Sequence, residues 1–436
     1  MLSIRCYCFS ANFVHALFEN IMRIVLFEDP AYRWLNPLVK LRPVFDLRCG
    51  ILLLREKIEY RFKHVPISYF TREHLAAYTA ELYPNVQVNQ LISDDCLFIN
   101  ARLLPGEKLL EFIRTLKTDT LMYAGENVAA AFLKASSLHL LAQDDEGLLV
   151  FPEKGALPTV NLTEGSTMIQ YSWDLVSNNA KEIINDFALS PGIGFCDGLV
   201  HEGAHLVNPE RIFIATGAVL YPGVIILAEE GPVYIGQNAK IMPNAVIEGP
   251  AFIGDNSVIK IGAKIYEGTS IGEVCKVGGE VECSIIHSYS NKQHDGFLGH
   301  SYLAQWVNLG ADTNNSDLKN NYGSVRSYAD GIEIDTGLKF VGLTMGDHSK
   351  TGINTMINTG TVAGIMCNIF GADFPPKYIP DFSWGGAAGF ETYQIGKALE
   401  VARTVKSRRK KEMGIEEERL IRNLYKTVKN VQEVGN

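Results

Sequence analysis

What this chain lacks bounds it first. Its eight cysteines in 436 residues include no C-x-x-C pair and no His/Cys cluster at zinc spacing, so neither a disulfide framework nor a structural zinc site is indicated. Thiols used in this way suggest a reducing compartment, and a cytoplasmic protein is expected. No run of eighteen or more apolar residues occurs, so no helix is expected to span a membrane. Positive charge is not in excess. The net charge is −9, and scattered basic residues leave no electrostatic footprint for nucleic acid. The one basic cluster, Lys406 to Lys411, is followed by Glu412 and by Glu416 to Glu418, which reads as a solvated helix.

The opening MLSIRCYCFSANFVHALFEN has one early arginine, a broken apolar stretch and no A-x-A site, unlike a secretory signal. Met22 precedes Arg23-Ile24-Val25-Leu26-Phe27, which reads as a first core strand. Residues 1–21 are therefore expected to be a poorly ordered extension, with Met22 as the true start. Hydrophobic residues at 47% and charged residues at 20% are ordinary for globular chains, and the length admits two or three domains.

Over residues 22–190 short apolar runs, Ile24 to Phe27 and Cys96 to Ile99, alternate with helix-like stretches at 107–117 and 127–140. This alternation predicts an α/β domain with a largely parallel sheet. The segment YSWDLVSNNAKEIINDFAL reads as a closing helix, and Pro191-Gly192-Ile193-Gly194 marks a break.

From Ile235 the chain divides into sixes: IGQNAK, IMPNAV, IEGPAF, IGDNSV, IKIGAK, IYEGTS, IGEVCK and VGGEVE. The first place is Ile or Val in all eight rows, and the fifth is mostly Ala, Ser, Thr or Cys. No α-helix has this period. A six-residue repeat fits one flat side of a triangular coil, with aliphatic residues stacked inward. Small residues fill the corner, and Gly at the second place tolerates unusual backbone angles. Such repeats are the signature of a parallel β-helix. Rows IATGAV and LYPGVI, from Ile214, share the phase before an insertion at Ala228 to Pro232. Residues 287–340 read as a loop with irregular coils, VGLTMGDHSKTGINTMINTGTVAGIMCNIFG as further coils, and FPPKYIPDFSWGG as the exit. The β-helix is thus assigned to 191–390 and a helical tail to 391–436.

The insertion carries Gly299-His300, Tyr302, Val307-Asn308-Leu309-Gly310-Ala311 and Asn321-Tyr322. Over roughly 210–370 the chain resembles the acetyltransferase half of the bifunctional bacterial uridyltransferase/glucosamine-1-phosphate acetyltransferases and similar archaeal sugar-1-phosphate nucleotidylyltransferases. The resemblance implies a left-handed β-helix, acetyl-CoA as co-substrate and a homotrimer. It makes His300 the general base, a neutral imidazole taking the proton of the attacking amine. Tyr302 and Asn308 would contact the sugar phosphate, and Ala311, Asn321 and Tyr322 would line the acetyl-CoA groove. Arg326 and Lys264 would supply positive charge for the phosphate. His300 and Asn308 stand closer together than in the family pattern. His348 reads as structural, and His294 is the weaker third histidine.

The region 22–190 resembles the family's sugar nucleotidyltransferase domain, Rossmann-like, with departures. Arg33, Pro37-Leu38 and Arg42-Pro43 fall in register, which makes Arg33 and Arg42 substrate contacts. The phosphate-loop glycines are absent, though, and Val44 replaces the family lysine. Arg102 stands where the family holds magnesium with an aspartate; an arginine cannot ligate a metal but could bind phosphate. Asp94 and Asp95 either substitute for that aspartate or form a solvated turn, so metal ligands stay unassigned. Trp173-Asp174 packs an interface or caps the following helix. The resemblance implies acetylation of glucosamine-1-phosphate and uridylyl transfer to the product, with Mg²⁺ if the first domain is active. The alternatives are another sugar-1-phosphate and nucleotide, such as glucose-1-phosphate with dTTP, or a regulatory trimer that binds a nucleotide-sugar without turnover.

Overall fold

A computed structural model describes residues 23–162, 166–189 and 194–434. The expected extension, Met22 and most of the Pro191 to Gly194 break lie outside the described residues. The chain forms two compact units: one from residues up to Pro30 and Ile58–Met168, the other from Ala31–Lys57 and Ile169 onward.

In the first unit a seven-stranded sheet runs in the order Thr159–Asn161, Thr120–Ala124, Asn127–Leu133, Cys96–Asn100, Arg23–Phe27, Ile67–Phe70 and Gln87–Val88. Neighbours are parallel, except that Asn127–Leu133 runs antiparallel to both of its partners. This corrects the helix expected at 127–140. The alanines favour a helix locally, but Ala129 to Leu133 is essentially buried throughout. A short, wholly buried apolar run is compatible with a central strand, and packing overrides propensity there. The helix expected at 107–117 is present as Glu107–Thr115.

The second unit is a three-sided left-handed parallel β-helix. One face begins with Leu199–Val200, the next with His205–Val207 and the third with Ile212–Ile214, and each continues as a parallel stack. Ile235 pairs with Ile253 and Ile253 with Ile271, so three hexads close one turn. These ladder residues and the fifth-place Ala239, Ala245, Ala251 and Ala263 are all fully buried. The unusual angles, however, lie at the fourth place: Asn238, Asn244, Asn256, Gly262 and Gly268 have φ between 55° and 68°. Gly at the second place serves close approach instead. A Cβ on Gly254 would stand 2.6 Å from the carbonyl carbon of Gly272 on the next coil.

The eighth row slips. Val281 is not a corner residue but pairs with Ile265 as a ladder residue. Coils continue through the supposed insertion at Ile285–Ile286, Asn291–Lys292, Phe297–Gly299, Tyr302–Leu303 and Asn314–Asn315. Only the stretch after Asp317 leaves the coil, as a hairpin of Arg326–Ala329 with Ile332–Asp335. Nor does the β-helix end at FPPKYIPDFSWGG, because Tyr378–Ile379 and Ser383–Gly386 still pair with preceding coils. Helices Ile395–Ser407 and Ile415–Val434 follow. Lys406 is not solvated as expected; it is buried against Glu417 with its ammonium over the Trp306 ring.

Residues 31–57 pack within this second unit. Lys57 meets Asp186 and Glu182 of helix Ser172–Leu189 at 2.7 Å each, and Asp186 also accepts the Ile51 and Leu52 amides. That helix is tied to the β-helix by Asn179, which donates to the Gly268 carbonyl. Asp174 gathers the Gln170 and Tyr171 amides at its start, and Trp173 stacks on Tyr171. Among the described residues no helix is long and apolar enough to cross a membrane.

Candidate active site

Where the repeat shortens, one corner of the β-helix collects chemistry. Glu282 pairs with Gly299, and the Asn315 side chain accepts the Gly299 amide and donates to its carbonyl. Three successive coils therefore present Cys283, His300 and Asp317 at one corner. Cys283 and His300 both adopt left-handed backbone, at φ 41° and 46°. The Nδ1 atom of His300 lies 2.8 Å from the Asp317 carboxylate, and Cys283 is near enough to act on the ring electrostatically. Phe340 stacks on the imidazole at 4.9 Å. Burial pushes the imidazole pKa down, but its hydrogen bond to the Asp317 carboxylate and its electrostatic interaction with Cys283 outweigh that and raise the group to about 9. The ring is accordingly not the neutral imidazole expected near pH 7.

Ser316 and Leu318, which flank Asp317 in the chain, line an open groove of about 560 Å³ together with Lys319, Asn321 and Phe374, among others; His300 and Asp317 are not among its lining residues. An antiparallel bridge from Leu318 to Phe340 closes the excursion and holds Phe340 over the ring. Asn321 thus lines a groove reached from the chain on either side of Asp317, and Tyr322, the next residue, is 67% exposed. Ala311 is half-buried, and its carbonyl accepts the Asn354 amide.

Other expected contacts are elsewhere. Tyr302 is completely buried, and its hydroxyl accepts the Arg48 amide at 2.9 Å; a sugar phosphate cannot reach it. Arg42 is buried as well, ion-paired with Asp347 and 3.2 Å from His287, so it is a packing residue of the second unit and not a substrate contact. Asn308 bridges to Asn291 and Lys350 on a different face from the His300 corner. Lys264 and Arg326 are surface residues paired with Glu280 and Glu333. Arg33 is exposed on the short helix Pro30–Leu35. His348 is buried and stacked on Trp306, and burial holds its ring well below the usual histidine range; its structural reading fits. His294 is exposed.

In the first unit Arg102 is fully buried and grips Asp29, with nitrogen–oxygen distances of 2.8 and 2.5 Å. It is therefore not open to a phosphate. Asp94 pairs with Arg23, and Asp95 accepts the Ala135 amide, as turn residues do. A guanidinium on the nearby carboxylate does not fit a magnesium site at this strand end. Among the described residues one group of three side chains has metal-ligating spacing: Glu267, Glu282 and Cys283.

Sequence reading missed Asp317, Cys283 and Phe340. The signal was a seventeen-residue interval, from Cys283 to His300 and again to Asp317, where the regular coils earlier in the β-helix repeat every eighteen.

One chain thus carries an α/β unit and a hexapeptide-repeat β-helix. The chain matches the family described as sugar nucleotidyl transferase over residues 24–191. It is 29% identical over 199 residues to the bifunctional protein GlmU of Synechococcus elongatus, covering 41% of this chain and 40% of that one. A bifunctional sugar-1-phosphate nucleotidylyltransferase/acetyltransferase of Sulfurisphaera tokodaii is 35% identical over 143 residues, covering 32% and 36%. The chain thus spans about 40% of the length of the curated relatives it matches. A UDP-N-acetylglucosamine acyltransferase structure from Francisella novicida overlaps 48% of this chain and 72% of its own, at 14% identity and a TM-score of 0.24.

Proposed function

We propose that the β-helix transfers an acetyl group from acetyl-CoA to the amine of glucosamine-1-phosphate. The observation that carries this reading is the His300–Asp317 pair, with the residues on either side of Asp317 lining an open groove. With Nδ1 held by Asp317, Nε2 is the nitrogen left for chemistry, positioned as an oriented base. The groove offers a cation at Lys319, amides at Asn320 and Asn321 and an aromatic face at Phe374, groups that suit an anionic nucleotide tail such as that of acetyl-CoA. A homotrimer would let a neighbouring β-helix complete the groove. Because the ring is raised to about 9, the neutral base gains population as pH climbs toward that value, and the rate should climb with it.

For the first unit, the match to the sugar nucleotidyl transferase family model supports binding of a sugar-1-phosphate and a nucleoside triphosphate, with uridylyl transfer as the reaction. The Arg102–Asp29 pair favours a second reading, a unit that binds a nucleotide-sugar without turnover. Incubation with acetyl-CoA and glucosamine-1-phosphate, with free thiol as readout, tests the acyl transfer; no CoA release, or unchanged release in His300→Ala, removes it. Pyrophosphate release across nucleoside triphosphates and sugar phosphates, glucose-1-phosphate with dTTP included, decides between the two readings of the first unit.

A further inference from the structure

We propose that one face of the β-helix binds a ligand that carries a diphosphate group. Its site is Lys260 and Lys276, joined by Arg408 and Arg409 from the turn after helix Ile395–Ser407. None of these residues takes part in the acyl-transfer reading above. Register between coils brings the cations together. Val277 is fully buried in the core, so Lys276, one position earlier on the same strand, points outward. The Lys260 amide donates to the Val277 carbonyl, which puts Lys260 on the adjoining coil of the same face. Lys276 pairs in register with Asn291, whose side chain accepts the Arg409 guanidinium at 3.0 Å. Arg408 is exposed beside it, and Lys240 extends the outward column through Val258.

Two features separate this cluster from ordinary surface lysines. The turn is fixed in place. Lys406 is buried against Glu417 with its ammonium over the Trp306 ring, and the Lys411 amide closes back on the Lys406 carbonyl. Arg408 and Arg409 are thereby held against the strands and lose little freedom when an anion arrives. The charge is also uncompensated. Among the described residues none of the four cations is in an ion pair. Glu273, on the coil of Lys276, is taken by Arg48, and Glu412, the next acid after the turn, pairs with none of them. Burial and the like charges of Arg409, Lys260 and Arg408 hold the Lys276 ammonium below the usual lysine range. In a chain of net charge −9, such crowding persists at a cost that a bound anion removes. Guanidinium forks grip phosphoryl oxygens in pairs, and lysines add point charge. Lys260 and Asn291 lie two coils apart, about 10 Å at strand spacing, a span that suits two linked phosphoryl groups better than one.

The test titrates inorganic pyrophosphate into the full chain by calorimetry at fixed ionic strength, with sulfate as the comparison anion. Tighter binding of pyrophosphate than of sulfate is the expected result. Lys276→Glu and Arg408→Glu should each weaken it about tenfold or more. Lys397→Glu, an exposed lysine at the other end of the same helix, should leave it unchanged. Circular dichroism checks that the variants fold, and the exposed Arg408 keeps the site testable should Lys276→Glu not fold. Equal affinity for the two anions would overturn the proposal, as would pyrophosphate binding undiminished in the folded variants, which places the anion elsewhere in the chain. Uptake onto phosphatidylserine vesicles or a single-stranded oligonucleotide, without pyrophosphate binding, would also overturn it and make the face a membrane or nucleic-acid surface instead.

Discussion

The coils over 235–277 and those over 280–317 are built by the same rule and differ in how strictly they keep it. In the first stretch each turn closes in eighteen residues on an interior of Ile, Val and small side chains. In the second, Ile271 pairs with Ile286 after fifteen residues and Val281 with Leu298 after seventeen. Polar side chains also enter the interior there. Lys292 pairs in register with Val277, is 2% exposed, and donates to the Gly278 and His294 carbonyls. Asn315 pairs in register with Ile357. A dry, exact ladder gives stability without chemistry, whereas shortened turns swing polar groups to one corner. The departure from the repeat coincides with the candidate site.

The comparison can be broken most forcefully at the corner. His300→Ala should lower CoA release by about 10²- to 10⁴-fold with the fold intact, as read by thiol assay and circular dichroism. In the regular stretch the effect should invert. Ile253→Ala removes a fully buried ladder side chain and should lower unfolding free energy by about 2–5 kcal/mol, measured by denaturant titration.

A pH series sharpens the contrast, because the two anomalous groups of the second stretch pull in opposite directions. The His300 ring is raised to about 9, so its stabilising pair with Asp317 is fully present below about 6.5 and is lost as pH rises through 9. Lys292 is lowered to about 8 by burial. Its contribution is therefore present above the unfolded lysine value and lost as pH falls through about 8. Asp317→Asn should abolish the first dependence in denaturation midpoints and shift the acidic limb of kcat/KM downward from about 9; Lys292→Met should abolish the second. The smallest effect concerns Val274, a β-branched residue at φ 60° where most other rows place Asn or Gly. Val274→Asn should raise stability by about 1 kcal/mol, seen as a higher melting temperature.

Much of this was legible because a period is a local property. The inward Ile column, the small fifth residues and the renewed phase after Val341 follow from residue type alone, and so did helix Ser172–Leu189. His300 was reachable from its flanking motif. The failures share one cause, that burial depends on what covers a residue. Ala129 to Leu133 became a strand because sheet neighbours lie on both sides. Tyr302 lost its substrate role because residues 31–57 cover it, and Arg42 was drawn into an ion pair with a residue three hundred positions away.

The sequence by itself therefore determined the β-helix, since six-residue spacing of aliphatic side chains admits only a coil that stacks them inward. It also determined that the phosphate-loop glycines are missing. Only the tertiary structure decided which polar residues meet. Cys283, His300 and Asp317 converge because two turns are one residue short, and Arg102 closes on Asp29 because the strands that carry them are neighbours. Those partnerships depend on register between coils and strands, a long-range quantity that no single stretch of chain encodes.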